Sequence, residues 1–92
     1  MIRPGWRPFL RVWRWDAALR ACSLLARGMA VDLLALEDAG LDVRACTARE
    51  VAALLGEDPA LVTAAVAELA DVGGADLARW VPLPMAGGEG EP

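Results

Sequence analysis

From residue 16 onward, apolar positions recur at helical spacing in segments separated by helix-starting and helix-stopping residues. Asp16 suits the N-cap of a first helix reaching about residue 22, and Ser23 that of a second over residues 24–37. In the second segment Leu24, Leu25, Met29, Val31, Leu33, Leu34 and Leu36 point in nearly every direction, which predicts a central helix buried on all sides. Its polar exceptions are Arg27, Asp32, Glu37 and Asp38. Gly28 costs about 1 kcal/mol relative to Ala in a helix interior; close approach of a neighbour, or a break between helices, would account for it. Gly40 suits the helix end, and residues 41–46 are short and mixed enough for one small strand.

The next two segments are more sharply marked. Thr47, followed three residues later by Glu50, is a capping box, with Val51, Leu54 and Leu55 as the buried stripe and Gly56 as the stop. Asp58 then caps a helix whose first position is Pro59, where the missing N–H is harmless. At about 100° per residue, Leu61, Val62, Ala65, Val66 and Leu69 fall within one sector of about 140°. The opposite sector carries Thr63, Ala64, Ala67, Glu68, Ala70 and Asp71, and Gly73 and Gly74 end the helix. Two short helices joined by a tight turn, residues 47–55 and 59–71, form the outline of a helix-turn-helix. A surface that seeks phosphate needs Arg or Lys, since backbone charge dominates nucleic-acid affinity; the second helix has neither.

The ends of the chain differ from its middle. Residues 1–15 hold Trp6, Phe9, Trp13 and Trp15, while Pro4 and Pro8 exclude a regular helix at the very start. Residues 9–15 alternate, with Phe9, Arg11, Trp13 and Trp15 on one side, so an extended arm or short strand is expected. The tryptophans can pack under the helices as a lid or stack on bases. Trp80, Val81 and Leu83 suggest a short strand or wing-like return, limited by Pro82 and Pro84. The segments are therefore an Arg/Trp-rich arm over residues 1–15, a helix-turn-helix domain over 16–84, and a flexible acidic tail over 85–92. The expected fold is mainly α: about four helices, with short or vestigial strands.

Composition narrows the chemistry. The 92 residues suffice for one domain, and 57% apolar content permits a core. Charged residues interrupt every apolar run, so no segment approaches the roughly 20 residues of a membrane span. No uninterrupted apolar stretch with a cleavage site follows the first arginines, so no signal peptide is expected. Residues 1–20 hold five Arg against Asp16, a net of +4; residues 21–92 hold four Arg against twelve Asp and Glu, a net of −8. A basic, aromatic start thus precedes an acidic body. Cys22 and Cys46 are expected as reduced, mostly buried thiols, with a single disulfide as the alternative. Without His or a CxxC pair, a zinc site has too few ligands. Without His, Lys or Tyr, the usual acid–base groups are missing; Cys22 has no His to activate it, and Ser23 reads as a cap. No enzyme activity, cofactor or metal is expected.

Trp15-Asp16, Leu19-Arg20, Ser23-Leu24, Ala26-Arg27-Gly28 and Asp32-Leu33-Leu34 with Leu36 resemble the opening of phage and prophage replication proteins of the replisome-organiser type. Thr47-x-x-Glu50-Val51-Ala52-x-Leu54-Leu55-Gly56 and residues 62–69 fit the helix-turn-helix of such a protein. The resemblance covers about residues 9–72 and implies an N-terminal winged-helix fold, phage origin, and the cytoplasm of an infected or lysogenic host. After Gly74 the usual basic strand-turn-strand wing is missing.

Two functions follow. One is a protein-docking module acting through Thr63, Ala64, Ala67, Glu68 and Asp71. Its partner would be a host or phage complex that handles nucleic acid, either replication machinery or a defence complex inhibited as anti-CRISPR proteins do. The other is a winged-helix DNA-binding protein in replication or transcription control, touching backbone through Arg3, Arg7, Arg11, Arg14 and Arg49. A homodimer, built on the alanine-rich face or the tryptophan arm, is a further expectation.

Overall fold

The computed structural model describes residues 16–85. Within them the chain is mainly helical: α1 (Ala17–Arg20), α2 (Leu24–Asp38), a 3₁₀ turn (Val43–Ala45), α3 (Ala48–Leu55), α4 (Pro59–Glu68), a π-helical turn (Leu69–Gly73) and α5 (Gly74–Ala78). The arm of residues 1–15, and residues 86–92 of the acidic tail, lie outside the described residues.

Each helix starts where its local chemistry dictates. Asp16 Oδ1 accepts from the Leu19 N–H at 2.8 Å, and Ser23 Oγ from the Ala26 N–H at 3.2 Å. Thr47 Oγ1 accepts from the Glu50 N–H at 3.1 Å, while Glu50 Oε1 accepts from the Thr47 N–H at 2.8 Å, the reciprocal pair of a capping box. Asp58 Oδ1 accepts from the Ala60 N–H at 2.9 Å, with Pro59 at the first helical position. The stops are equally local. At the end of α2, Leu41 N–H reaches Leu36 O and Gly40 N–H reaches Glu37 O; at the end of α3, Glu57 N–H reaches Ala52 O and Gly56 N–H reaches Ala53 O. Both pairs are Schellman closures. Gly56 takes φ 70°, which a side chain rarely adopts.

The core gathers around one stripe of α2. Leu19, Cys22, Ala26, Met29, Ala30 and Leu33 follow i, i+3, i+4 spacing from α1 into α2 and are buried. They meet Val51 and Ala52 of α3, Val62, Ala65 and Val66 of α4, and Leu69, Leu77 and Val81 further on. No polar or charged residue among the described ones is buried. The segment after α5 turns back over this core with Val81, Pro82 and Pro84 buried. It ends on α3: Met85 N–H donates to Cys46 O at 2.7 Å, and Met85 O accepts the otherwise orphaned Ala48 N–H at 2.9 Å.

Several expectations need correction, among them Leu54, expected in the buried stripe of α3 but 59% exposed. Residues 41–46 hold the 3₁₀ turn Val43–Ala45 and no strand: among the described residues their pairing is confined to the Met85 N–H on Cys46 O, too little for a ladder. Residues 80–83 form no strand either; pairing among the described residues is a single parallel bridge between Thr47 and Met85, since Pro82 and Pro84 cannot donate to a ladder. The α-helix starting at Pro59 ends at Glu68 and widens into the π turn, so Gly73 lies inside the turn and Gly74, at φ 62° and ψ −158°, makes the break into α5. Finally, α2 is not buried all round. Leu24 is 76% exposed and Leu25 50%, because neighbouring elements cover only one side of its first turns.

Candidate functional site

The uncovered side of α2 forms one wall of a groove of about 520 Å³. That wall is built from Leu24, Leu25, Gly28, Met29, Val31 and Asp32. The facing wall comes from the turn before α4 and its first turn, through Glu57, Leu61 and Val62. Val62 and Met29 are core residues that floor the groove, whereas Leu24, Leu25 and Leu61 stand out of it. Leu61, expected in the buried arc of α4, is 48% exposed. Single exposed leucines are ordinary; three around one concavity make it the candidate contact surface. The charged residues lining the groove, Asp32 and Glu57, are both acidic.

Gly28 sits in this groove for neither of the expected reasons. Helix α2 runs unbroken from Leu24 to Asp38, and a Cβ added at Gly28 would meet nothing within 4 Å. Its lack of a side chain serves no packing inside the described fold.

A second cluster joins the α1–α2 junction to the end of α4. Glu68 accepts from both the backbone N–H of Ser23 and, at 2.7 Å, from its hydroxyl. The Ser23 hydrogen bonds hold the Glu68 carboxyl below the usual carboxylate range. Ser23 therefore caps α2 and anchors α4 at once. Burial, and next the charge of Glu68, push the adjacent Cys22 thiol above its ordinary value, with Arg27 pulling weakly the other way. A thiol held protonated is a poor nucleophile. Cys22 is buried, Cys46 half-buried, and both are free thiols. Among the described residues no group of three or more His, Cys, Asp or Glu is placed to hold a metal ion, and no helix is long and apolar enough to cross a membrane.

The docking residues expected from the sequence are distributed unevenly. Ala64 and Ala67 are exposed on α4, and Asp71 on the π turn; Thr63 is half-buried. Glu68 is engaged by Ser23 rather than offered to a partner. Of the expected nucleic-acid contacts, Arg49 is exposed on α3 with no ion pair or hydrogen bond among the described residues. Arg3, Arg7, Arg11 and Arg14 lie outside the described residues. Arg44 is occupied: it pairs with Glu37 at 3.4 Å and donates to Ala78 O at 3.0 Å, tying the 3₁₀ turn to α2 and α5.

Sequence reasoning missed the groove because its leucines were assigned to the core. The available signal was an excess of leucine over what one face of α2 can bury, together with Gly28 in mid-helix. No protein-family model, curated protein or solved structure matches this chain at a significant level.

Proposed function

We propose that this chain is a small non-enzymatic binding module that works by protein–protein contact. The observation that carries the reading is the leucine-walled groove with carboxylates on its rim. The charge balance supports it: residues 16–85 hold five Arg against eleven Asp and Glu, a net of −6. The partner proposed is a nucleic-acid-handling complex of a bacterial host, either replication machinery or a defence complex inhibited in the anti-CRISPR manner. An acidic body suits a partner with a basic, phosphate-binding surface. The resemblance of residues 9–72 to phage replication proteins supports that class of partner. Helices α3 and α4 with their Gly56-Glu57-Asp58 turn support a helix-turn-helix scaffold. Self-association is one of the test's outcomes.

Affinity capture from bacterial lysate with the full chain, followed by rebinding of the purified candidate, tests this reading. The expected result is a direct complex with a protein that handles nucleic acid. A second reading, winged-helix DNA binding, is favoured by the free, exposed Arg49. Fluorescence polarisation with duplex DNA separates the two. Micromolar or tighter duplex affinity that falls steeply with salt, with no protein captured, would overturn protein contact in favour of DNA.

A further inference from the structure

We infer that the groove between α2 and α4 receives a basic amphipathic helix of the partner, which crosses α2 at Gly28; this rests on the protein-contact reading above. Three observations identify the occupant. The first is chemistry: the lining is aliphatic except for Asp32 and Glu57, so a peptide with leucine-type anchors flanked by Arg or Lys complements it, and an acidic one is repelled. A small polar ligand would need convergent hydrogen-bond donors, and the lining side chains offer none.

The second observation is backbone. Neither wall is a strand edge: one is α2 and the other the first turn of α4 with the turn before it, and beyond each first helical turn the N–H groups are bonded along the helix axis. An extended peptide laid here would leave its own backbone groups unpaired, whereas a helix arrives with them satisfied. The third is Gly28. It occupies a helix interior, is exposed, and has no neighbour within 4 Å of where a Cβ would stand. A glycine facing outward at the middle of one wall lets a crossing backbone approach closely, toward the short end of the roughly 8–10 Å range of helix pairs. A side chain there would stand in the occupant's path.

The test uses the full chain and a fluorescein-labelled, helix-stapled peptide of about 14 residues, four turns, made of Leu, Ala and Arg. The control carries Glu in place of Arg. The basic peptide is expected to bind, to shift the methyl resonances of Leu24, Leu25 and Leu61, and to weaken as rising salt shortens the Debye length. Gly28→Trp is expected to reduce its affinity about tenfold or more, as loss of a central contact does. The double charge reversal Asp32→Arg with Glu57→Arg transfers preference to the Glu peptide and, being on exposed positions, keeps the proposal testable if Gly28→Trp fails to fold. Equal affinity for both peptides, resonance shifts confined to other surfaces, or wild-type affinity in folded Gly28→Trp would each overturn it. So would concentration-dependent dimerisation abolished by Gly28→Trp, which would make a second copy the occupant. A captured partner indifferent to both variants overturns this groove assignment and leaves protein contact standing; absence of any captured protein removes both.

Discussion

Two glycines in helical backbone provide a matched experiment. Gly28 lies in α2, and Gly73 in the π turn with φ −74° and ψ −31°. Replacing either by Ala removes backbone freedom from the unfolded chain and restores helix propensity, a gain of about 1 kcal/mol. At Gly28 the new methyl meets nothing, so the gain is kept. At Gly73 the new Cβ would stand 2.6 Å from Leu77 Cβ and 2.9 Å from Leu77 Cγ, and closer still to Cδ2. A rotamer change can move Cγ and Cδ2 but not Cβ, which is fixed to the backbone of α5. Leu77 is also fully buried, so α5 must shift as a body.

Overpacking of this kind costs about 1–3 kcal/mol. A clash that reaches Cβ belongs at the upper end, which leaves a net destabilisation of about 2 kcal/mol after the propensity gain. For a domain of this size, 1 kcal/mol corresponds to roughly 4–8 °C in Tm. Gly28→Ala should therefore raise Tm by roughly 4–8 °C, and Gly73→Ala lower it by roughly 8–16 °C. Thermal unfolding followed by far-ultraviolet circular dichroism, with urea midpoints at constant slope, measures both. Leu77→Ala in the Gly73→Ala background should cost less than in the parent, because part of the clash is gone. If Gly73→Ala is as stabilising as Gly28→Ala, the close packing of α5 on the π turn is wrong.

Ser23→Ala removes the Ala26 cap and the hydroxyl's hydrogen bond to Glu68, leaving the backbone N–H contact in place; a loss of about 1 kcal/mol by urea denaturation is expected, and a neutral result would refute the hydroxyl's anchoring role. The Glu68 carboxyl is held below its ordinary 4.5, so the native state binds its proton less readily than the unfolded chain does. Its contribution is present at neutral pH and is lost as pH falls below 4.5 through the lowered native value; Glu68→Gln should lack this acid-sensitive part, and parallel pH profiles would count against it. Leu33→Ala, at a fully buried position, should cost about 2–5 kcal/mol, while Leu25→Ala on the groove wall should stay within about 0.5 kcal/mol; equal costs would place Leu25 in the core after all.

What was legible in the sequence was what is decided within one helical turn. Asp16, Ser23, Thr47 with Glu50, and Asp58 with Pro59 each bond or constrain backbone no more than three residues away, and all act as their types predict. Gly56 and Gly40 close helices for the same local reason. The contact between Ser23 and Glu68 joins residues 45 apart and leaves no periodic trace, so a carboxylate that locks two elements together reads in the sequence as one more solvated charge. Strands failed for a related reason. Two short β-compatible runs need each other, and among the described residues the prolines at 82 and 84 leave only the Met85 bridge to Thr47.

Helix α2 shows where apolar pattern and packing part company, and the proposed groove rests on that divergence. A leucine buries equally well against its own domain or against a partner, so periodicity counts Leu24 and Leu33 alike. The fold separates them: Leu33 is fully buried, and Leu24 is 76% exposed. Evolution toward stability alone would favour polar residues at positions 24, 25 and 61 and alanine at 28, since each change would relieve exposed apolar area or helix strain. The presence of three exposed leucines and one mid-helix glycine around a single concavity runs against that direction four times in one place. Local rules broken together, with no compensating contact inside the described fold, are what the proposed docking surface would account for. The substitutions that separate the two pressures are Gly28→Ala and Gly28→Trp: the first measures what the glycine withholds from stability, the second what it permits in binding.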